Sequence, residues 1–348
     1  MDVSDFDFDL PSRLIAQEPA AERGTSRLLV LHRRSGQIEH AIASGVPDFL
    51  RAGDLLVVND TKVFPARLVG ERDPSGGSVE CLLLRKGEED CWDALVHPGQ
   101  KLQPGARMVF RGAGRTLHGE VLDRHFHGRR TIRLWSDGNG DIDEAIDDIG
   151  HVPLPPYIKR KDQPQDRERY QTVYARARGS VAAPTAGLHF TPPMLDALAG
   201  KGIERIAITL HVGYGTFQPV RAAQVEAHTV DREYFSITGT AAERINRARE
   251  EGRRIVAVGT TTTRALEAAA HVGGGIITPQ AGWTDLFIYP GFEFRSVTAL
   301  LTNFHLPRSS LLMLVAAFAG RERLLAAYRE AVRLGYRFYS YGDAMLIL

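Results

Sequence analysis

Polar and titratable side chains in this chain gather in runs of small residues. One run is Ser180-Val-Ala-Ala-Pro-Thr-Ala-Gly-Leu-His-Phe190, which holds Thr185 and Gly187. Another is His211-Val-Gly-Tyr-Gly-Thr-Phe217, which holds Gly213, Gly215 and Thr216. Gly and Ala add little bulk, so a ligand can come close to the backbone in both. The histidines His189, His211, His228 and His305 lie in or near such loops. None has HxH or HExxH spacing, and acidic residues do not cluster around them. Acid–base work or plain hydrogen bonding therefore suits them better than a metal site, and no metal is expected. Asp60, Asp285 and Asp343 each stand beside an expected strand boundary. One of them is a candidate general base, although lone Asp residues more often serve turns and caps.

Val258-Gly-Thr-Thr-Thr-Thr-Arg264 lies between an expected strand and an expected helix. Helix-start N–H groups and the hydroxyls of Thr260, Thr261 and Thr262 would suit a carboxylate or phosphate; a Thr N-cap is the plainer alternative. The run lacks the Lys and second Gly of a GxxxxGK[ST] phosphate loop. Gly213-Tyr-Gly215 is half a dinucleotide fingerprint, without its third Gly or its helix. Lys159, Arg160, Lys161, Arg169, Tyr170, Tyr174, Arg176 and Arg178 form a basic segment with interleaved tyrosines. Such a segment fits RNA, with cations on phosphates and rings on unpaired bases, or else a solvated linker. Arg124–Arg130 is a weaker basic cluster.

These residues need a scaffold to hold them. Arg27–His32 and Gln37–His40 read as a hairpin, Val46–Leu50 as helical and Gly53–Asn59 as a buried strand. From Phe64 to Ile149 short β-type runs alternate with Gly/Pro turns such as Asp73–Gly77, Gln103–Gly105 and Asp137–Gly140. That texture predicts a small antiparallel barrel, residues 64–150, inserted into one α/β domain made of residues 1–63 and 151–348. The second part alternates helix and strand. A helix capped by Thr191 precedes the strand Ile203–Leu210, and a strand Glu233–Thr238 precedes a helix with the capping box Thr240–Glu243. The strand Arg254–Gly259, the loop Gly259–Arg264 and the helix Ala265–His271 follow. A strand at Asp285–Tyr289, helices at Ser309–Ala319 and Arg321–Leu334, and a strand over Tyr336–Leu348 complete the chain. The fold class is thus an α/β main domain, a mixed sheet with flanking helices, carrying an inserted β-barrel.

Composition bounds the function. The chain has 348 residues, 43% apolar and 24% charged, with Lys plus Arg at 43 against Asp plus Glu at 42. A net charge of +1 gives no global attraction for polyanions, so any RNA affinity must be local. Cys81 and Cys91 fit neither a zinc spacing nor a disulfide framework. The acidic start is unlike a signal peptide, and Leu311–Ala319 is too short to span a bilayer. A cytoplasmic protein without membrane contact is expected.

Several motifs together carry a resemblance. They include Gly53-Asp-Leu-Leu-Val-Val-Asn-Asp-Thr-Lys-Val63, Arg169-Tyr-Gln-Thr-Val-Tyr-Ala175, Gly179–Phe190, Leu210-His-Val-Gly-Tyr-Gly-Thr-Phe-Gln-Pro-Val220, Val258–Arg264, Leu301-Thr-Asn-Phe-His-Leu-Pro307 and Tyr339-Ser-Tyr-Gly-Asp-Ala-Met345. In this order, end to end, the chain resembles the S-adenosylmethionine:tRNA ribosyltransferase-isomerases of queuosine biosynthesis. The resemblance implies an α/β domain with an inserted barrel. It implies transfer and isomerisation of the ribosyl part of S-adenosylmethionine onto 7-aminomethyl-7-deazaguanine at the tRNA wobble position. Epoxyqueuosine-tRNA, adenine and methionine would be the products. No metal or redox cofactor is implied, since the sulfonium compound is consumed, and the protein is expected to act as a monomer. Tyr214 and Lys62 depart from the residues usual in the family.

The implied chemistry sets the expected roles. A base must take a proton beside the sulfonium, an acid or donor must help adenine leave, and the attacking amine must be neutral. His189 and His211 are the expected acid–base groups, with Asp343 and Asp60 behind them. Arg264 with Thr260, Thr261 and Thr262 is expected to hold the methionine carboxylate, and Tyr174, Tyr339 and Tyr341 to stack on bases. Thr185, Gly187, Gly213, Gly215, Thr216, Asn303 and His305 complete the expected substrate site, and the segment from Lys159 to Arg178 the tRNA contact. An α/β hydrolase is the rival enzyme, but no GxSxG elbow is present. An RNA-binding module would leave the Thr- and Gly-rich loops without a purpose.

Overall fold

Strands that are apolar throughout need cover on both faces. Leu55–Asn59, Ile255–Val258 and Ala299–Asn303 are such strands, buried at every position. In the computed structural model, which describes residues 1–138 and 140–348, they form the centre of a nine-stranded sheet. Asn139, in the turn expected at Asp137–Gly140, and the side chain of His127, in the Arg124–Arg130 cluster, lie outside the description. The strand order is Gln280–Thr284, Glu233–Ile237, Glu204–Leu210, Leu55–Asn59, Ile255–Val258, Ala299–Asn303, Ala344–Ile347, Arg27–Leu31, Ile38–Ile42. Glu204–Leu210 and the three buried strands are mutually parallel. Ala344–Ile347 runs against them, with Ala344 opposite Asn303.

Alternation sends odd and even side chains to opposite faces. Leu55, Val57, Ile255 and Ala257 pack with the helices Gly239–Glu250, Thr260–Val272, Ser310–Ala319 and Arg321–Arg333. Leu56, Val58, Val256 and Val258 pack with Val46–Phe49 and Pro192–Gly200. Burying a Leu or Ile side chain contributes roughly 1.5–3 kcal/mol, so both layers are needed to hold the sheet.

The expected barrel is present and closed, in the order Arg129–Ser136, Cys91–His97, Ser78–Lys86, Arg67–Asp73, Arg107–Gly112, Arg115–Arg124. Its inward positions, among them Val79, Cys81, Leu83, Trp92, Ala94 and Ile132, form one core. The helix Ile142–Ile149 closes that core with Ala145, Ile146 and Ile149.

Several elements differ from expectation, each for a local reason. The Gly259–Arg264 loop is instead the first turn of Thr260–Val272, and Gly259 at φ 94° makes the corner. β-Branched threonines read as non-helical, but Thr262 and Thr263 donate their hydroxyls to the carbonyls of Val258 (2.6 Å) and Gly259 (3.1 Å) within the turn. Thr238, not Thr240, caps Gly239–Glu250 by accepting the Ala241 N–H. Asp285–Tyr289 is irregular, and the strand lies at Gln280–Thr284. The last strand spans only Ala344–Ile347, because Tyr339 at φ 75° turns the chain before it. The short parallel pair of Thr61–Val63 with Ala177–Ser180 was not expected. Among the described residues, no helix is long and apolar enough to cross a membrane.

Close packing in the barrel gives a test. A Cβ on Gly70 would stand 2.2 Å from the Val109 carbonyl oxygen and 2.7 Å from Phe110 Cδ1. Gly70→Ala should lower stability by about 1–3 kcal/mol, read as an earlier denaturant midpoint in tryptophan fluorescence. Gly282→Ala, with open space around it, should leave the midpoint in place.

Candidate active site

The parallel strands end together at Leu210, Asn59, Val258 and Asn303. Open α/β sheets bind ligands at this edge, because loops and helix starts converge there. Asn59 ties the ends to one another. Its Nδ2 donates to the Leu210 carbonyl (2.9 Å) and to Thr261 Oγ1 (3.3 Å). Its Oδ1 accepts from the N–H groups of Leu210 (3.0 Å) and Thr61 (3.1 Å). The turn Thr185–His189 and the segment Tyr339–Asp343 arrive at the same edge, so most of the expected clusters do meet.

They line a narrow cleft with Thr185, Thr216, Thr260, Thr261, Asn303, His305 and Tyr339 on its walls. Tyr157 meets Tyr339 edge-on at 3.8 Å between ring centroids and, with Phe217, forms an aromatic wall. Asn303 is 2% exposed; its Nδ2 donates to the Tyr339 carbonyl (3.1 Å), and its Oδ1 has no partner. His305 pairs with Thr302 Oγ1 at 2.9 Å, and burial pulls its pKa down to about 3, so it stays neutral.

The expected proton-transfer groups are less alike. His189 is 5% exposed; its Nδ1 pairs with Ser26 Oγ (2.6 Å) and its Nε2 with Asn303 Nδ2 (3.2 Å). Burial lowers its pKa to about 4. It lines a small pocket behind the cleft, with Arg23, Arg169 and Tyr341. Asp343 is held by Arg27 Nη2 (3.0 Å) and by the Arg337 N–H (2.7 Å). Asp60 is held by Arg176 Nη2 (2.8 Å) and Thr209 Oγ1 (2.6 Å). Both carboxylates are thus tied to the surrounding scaffold. His211 is half-buried and stacks on Tyr234, and its Nδ1 meets Thr61 Oγ1 at 2.8 Å. Burial lowers its pKa, and the Asp60 charge opposes that shift. Gly179 makes room for its ring, since a Cβ there would sit 2.7 Å from His211 Nε2.

Glu233 is a central residue that the sequence reading treated only as the start of a strand. It is 3% exposed and accepts from the Gly213 N–H (2.8 Å) and Thr216 Oγ1 (3.1 Å). It also pairs with Arg264. A lone acid opening an otherwise apolar strand was the available signal. Gly187 and Gly215 serve close approach: a Cβ would lie 2.3 Å from Tyr174 Oη and 2.6 Å from Asp231 Oδ2, respectively.

Much of the expected tRNA segment is structural. Arg160 forms a two-pronged pair with Asp166 (2.6 and 2.9 Å), and Arg169 donates to the Ala20 and Ala21 carbonyls. Tyr170 is fully buried, Tyr341 donates to Asp166, and the Tyr174 hydroxyl packs inside against Gly187. The buried rings of Tyr170 and Tyr341 are not surfaces on which a base can stack, whereas Tyr174 is half-buried. Lys159, Lys161, Arg176 and Arg178 remain at the surface. A larger groove between the barrel and the sheet combines Phe64, Trp92, Tyr234 and Trp283 with Arg85, Lys86, Arg129, Arg178 and His211. Arg85 lies over the Trp283 ring at 5.2 Å, and Arg178 over Phe64 at 5.0 Å. These residues come from distant segments, which is why no single motif announced them. Val212 lines both groove and cleft, so the two adjoin.

Comparison with known proteins gives a consistent result. Residues 3–347 match the family model described as queuosine biosynthesis protein. The chain is 51% identical to S-adenosylmethionine:tRNA ribosyltransferase-isomerase of Desulfitobacterium hafniense and 53% identical to that of Moorella thermoacetica. Each alignment spans 348 residues and the whole of both chains. The crystal structure of S-adenosylmethionine tRNA ribosyltransferase from Thermotoga maritima is similar with a TM-score of 0.55 at 40% identity. That alignment covers 99% of this chain and 100% of the other.

The buried imidazoles set a pH dependence. Their native pKa values lie below the usual 6.5. As pH falls below about 6.5 the unfolded chain binds protons that the native state refuses, so stability present above that pH is lost toward pH 4. His189→Gln should make this loss shallower by one proton, roughly 1.4 kcal/mol per pH unit. Denaturant titrations at pH 7.5, 6 and 5 measure it; parallel slopes for variant and wild type would refute the assignment.

Proposed function

The chain belongs to the queuosine biosynthesis protein family, and on that premise we propose that it is an S-adenosylmethionine:tRNA ribosyltransferase-isomerase. Its acceptor is 7-aminomethyl-7-deazaguanine at the tRNA wobble position. The amine gains the rearranged ribosyl group, and adenine and methionine leave, giving epoxyqueuosine-tRNA. The observation that carries this reading is the junction at Val212 of a small polar cleft with an aromatic, cationic groove. One cavity suits a sulfonium nucleoside and the other suits a base presented on RNA.

In this reading the cleft takes the adenosyl part of the donor. The aromatic wall of Tyr157, Phe217 and Tyr339 covers the purine, and Asn303 Oδ1 accepts from an amino or hydroxyl group. Thr185, Thr260 and Thr261 bond the sugar. The groove takes the anticodon loop, with rings for unstacked bases and Arg85, Lys86, Arg129 and Arg178 for phosphates. Lys159, Lys161 and Arg176 extend that surface. His211 stands where groove and cleft meet and moves the proton, because it is the expected acid–base group that faces the groove. His189, Asp343 and Asp60 hold the loops in place. No metal or redox cofactor takes part, and the enzyme acts as a cytoplasmic monomer.

Incubation with S-adenosylmethionine and tRNA bearing the deazaguanine precursor should release adenine and methionine. His211→Ala should lower turnover by about 10²-fold or more while donor binding changes little. Trp283→Ala should raise the KM for tRNA. Absence of adenine release from authenticated substrates would sink the proposal.

A further inference from the structure

A small side branch opens beside the cleft, lined by Thr216, Asp231, Glu233, Arg264, Ser310 and Leu311. Thr216 and Leu311 also line the cleft, so the two spaces adjoin. Arg264 is 7% exposed. Its Nη1 is paired with Glu233 and its Nε donates to the Leu286 carbonyl (3.0 Å), but its buried Nη2 has no partner. Leaving a buried charged donor unpaired is costly, and a ligand oxygen at that point would satisfy it.

The helix Ser310–Ala319 begins at the same branch. Ser309 Oγ takes the Leu312 N–H at 3.2 Å, and among the described residues no hydrogen bond uses the N–H of Ser310 or Leu311. Free N–H groups at a helix start favour an anion. Asp231 also lines the branch; its Oδ2 accepts from Arg129 of the barrel at 2.5 Å, and Gly215 lets that carboxylate come close. The Glu233 charge is answered by Arg264. The branch therefore has both donors and a carboxylate among its lining residues.

We propose that this branch binds the α-amino acid end of the sulfonium donor. The ligand carboxylate lies on Arg264 Nη2 and the Ser310–Leu311 N–H groups, and its ammonium on Asp231. This narrows the methionine carboxylate site to Arg264 and moves it away from Thr260–Thr262. It rests on the reading of the cleft as the adenosyl site.

The test compares S-adenosylmethionine with its decarboxylated analogue on the wild-type protein, so it does not depend on a variant that folds. Removal of the carboxylate should weaken binding by 10-fold or more in calorimetry. Arg264→Gln should bind both compounds alike, and Asp231→Asn should weaken the amino acid form several-fold while sparing a deaminated analogue. Equal affinity of the wild-type protein for both sulfonium compounds, with adenine still released from S-adenosylmethionine, would overturn the subsite and leave the enzyme reading intact. Failure of either compound to bind, with no adenine released, would overturn both.

Discussion

The carboxamide of Asn59 is the interaction on which the site depends. Parallel strands are bonded along their lengths, but their ends diverge into loops that the ladder no longer controls. Asn59 uses its donor and its acceptor at that point, on the Leu210 backbone, the Thr61 N–H and the Thr261 hydroxyl. One residue thereby fixes the exit of the Glu204–Leu210 strand, the departure of its own chain and the first turn of the helix Thr260–Val272. An aspartate could not do this, since it lacks the donor, and a leucine would leave the Leu210 N–H and C=O unpaired inside the protein, at a cost of about 1–3 kcal/mol each.

The same economy governs charge. Asp60, Asp343 and Glu233 are buried acids, and each is paired with an arginine. Breaking a buried pair costs more than forming it gains, because the remaining charge has no water. These acids are therefore fixed features of the scaffold. The buried imidazoles are neutral for the same reason, since burial disfavours a cation that has no counter-charge. That leaves His211, at the rim, as the imidazole with both solvent access and a place beside the cleft.

Local chemistry was legible in the sequence, and pairing was not. Turn residues and short alternating runs gave the barrel, and the apolar strands with polar residues at their ends gave the edge where the cleft forms. The conformation of Gly259–Arg264 was misread because propensity disfavours a run of threonines in a helix, whereas Thr262 and Thr263 satisfy their hydroxyls within the turn itself. The roles of Arg160 and Tyr170 were misread because a basic, aromatic run looks solvated until Asp166 and Tyr341 are seen beside it. Glu233 and the groove had no local mark, since their partners lie in segments far apart in sequence.

One orientation carries further than its size suggests. The Tyr339 carbonyl can only accept, so the amino end of the Asn303 side chain must face it, and the oxygen is left as the group without a partner. The amide is thus fixed, since rotating it would set its oxygen against the Tyr339 carbonyl. Under the proposed placement of adenine in the cleft, a purine that carries an amino group would satisfy the Asn303 oxygen, while one with an oxo group in the same place would set two lone pairs against each other. In that reading, discrimination between the two kinds of nucleobase rests on a tyrosine backbone that touches neither.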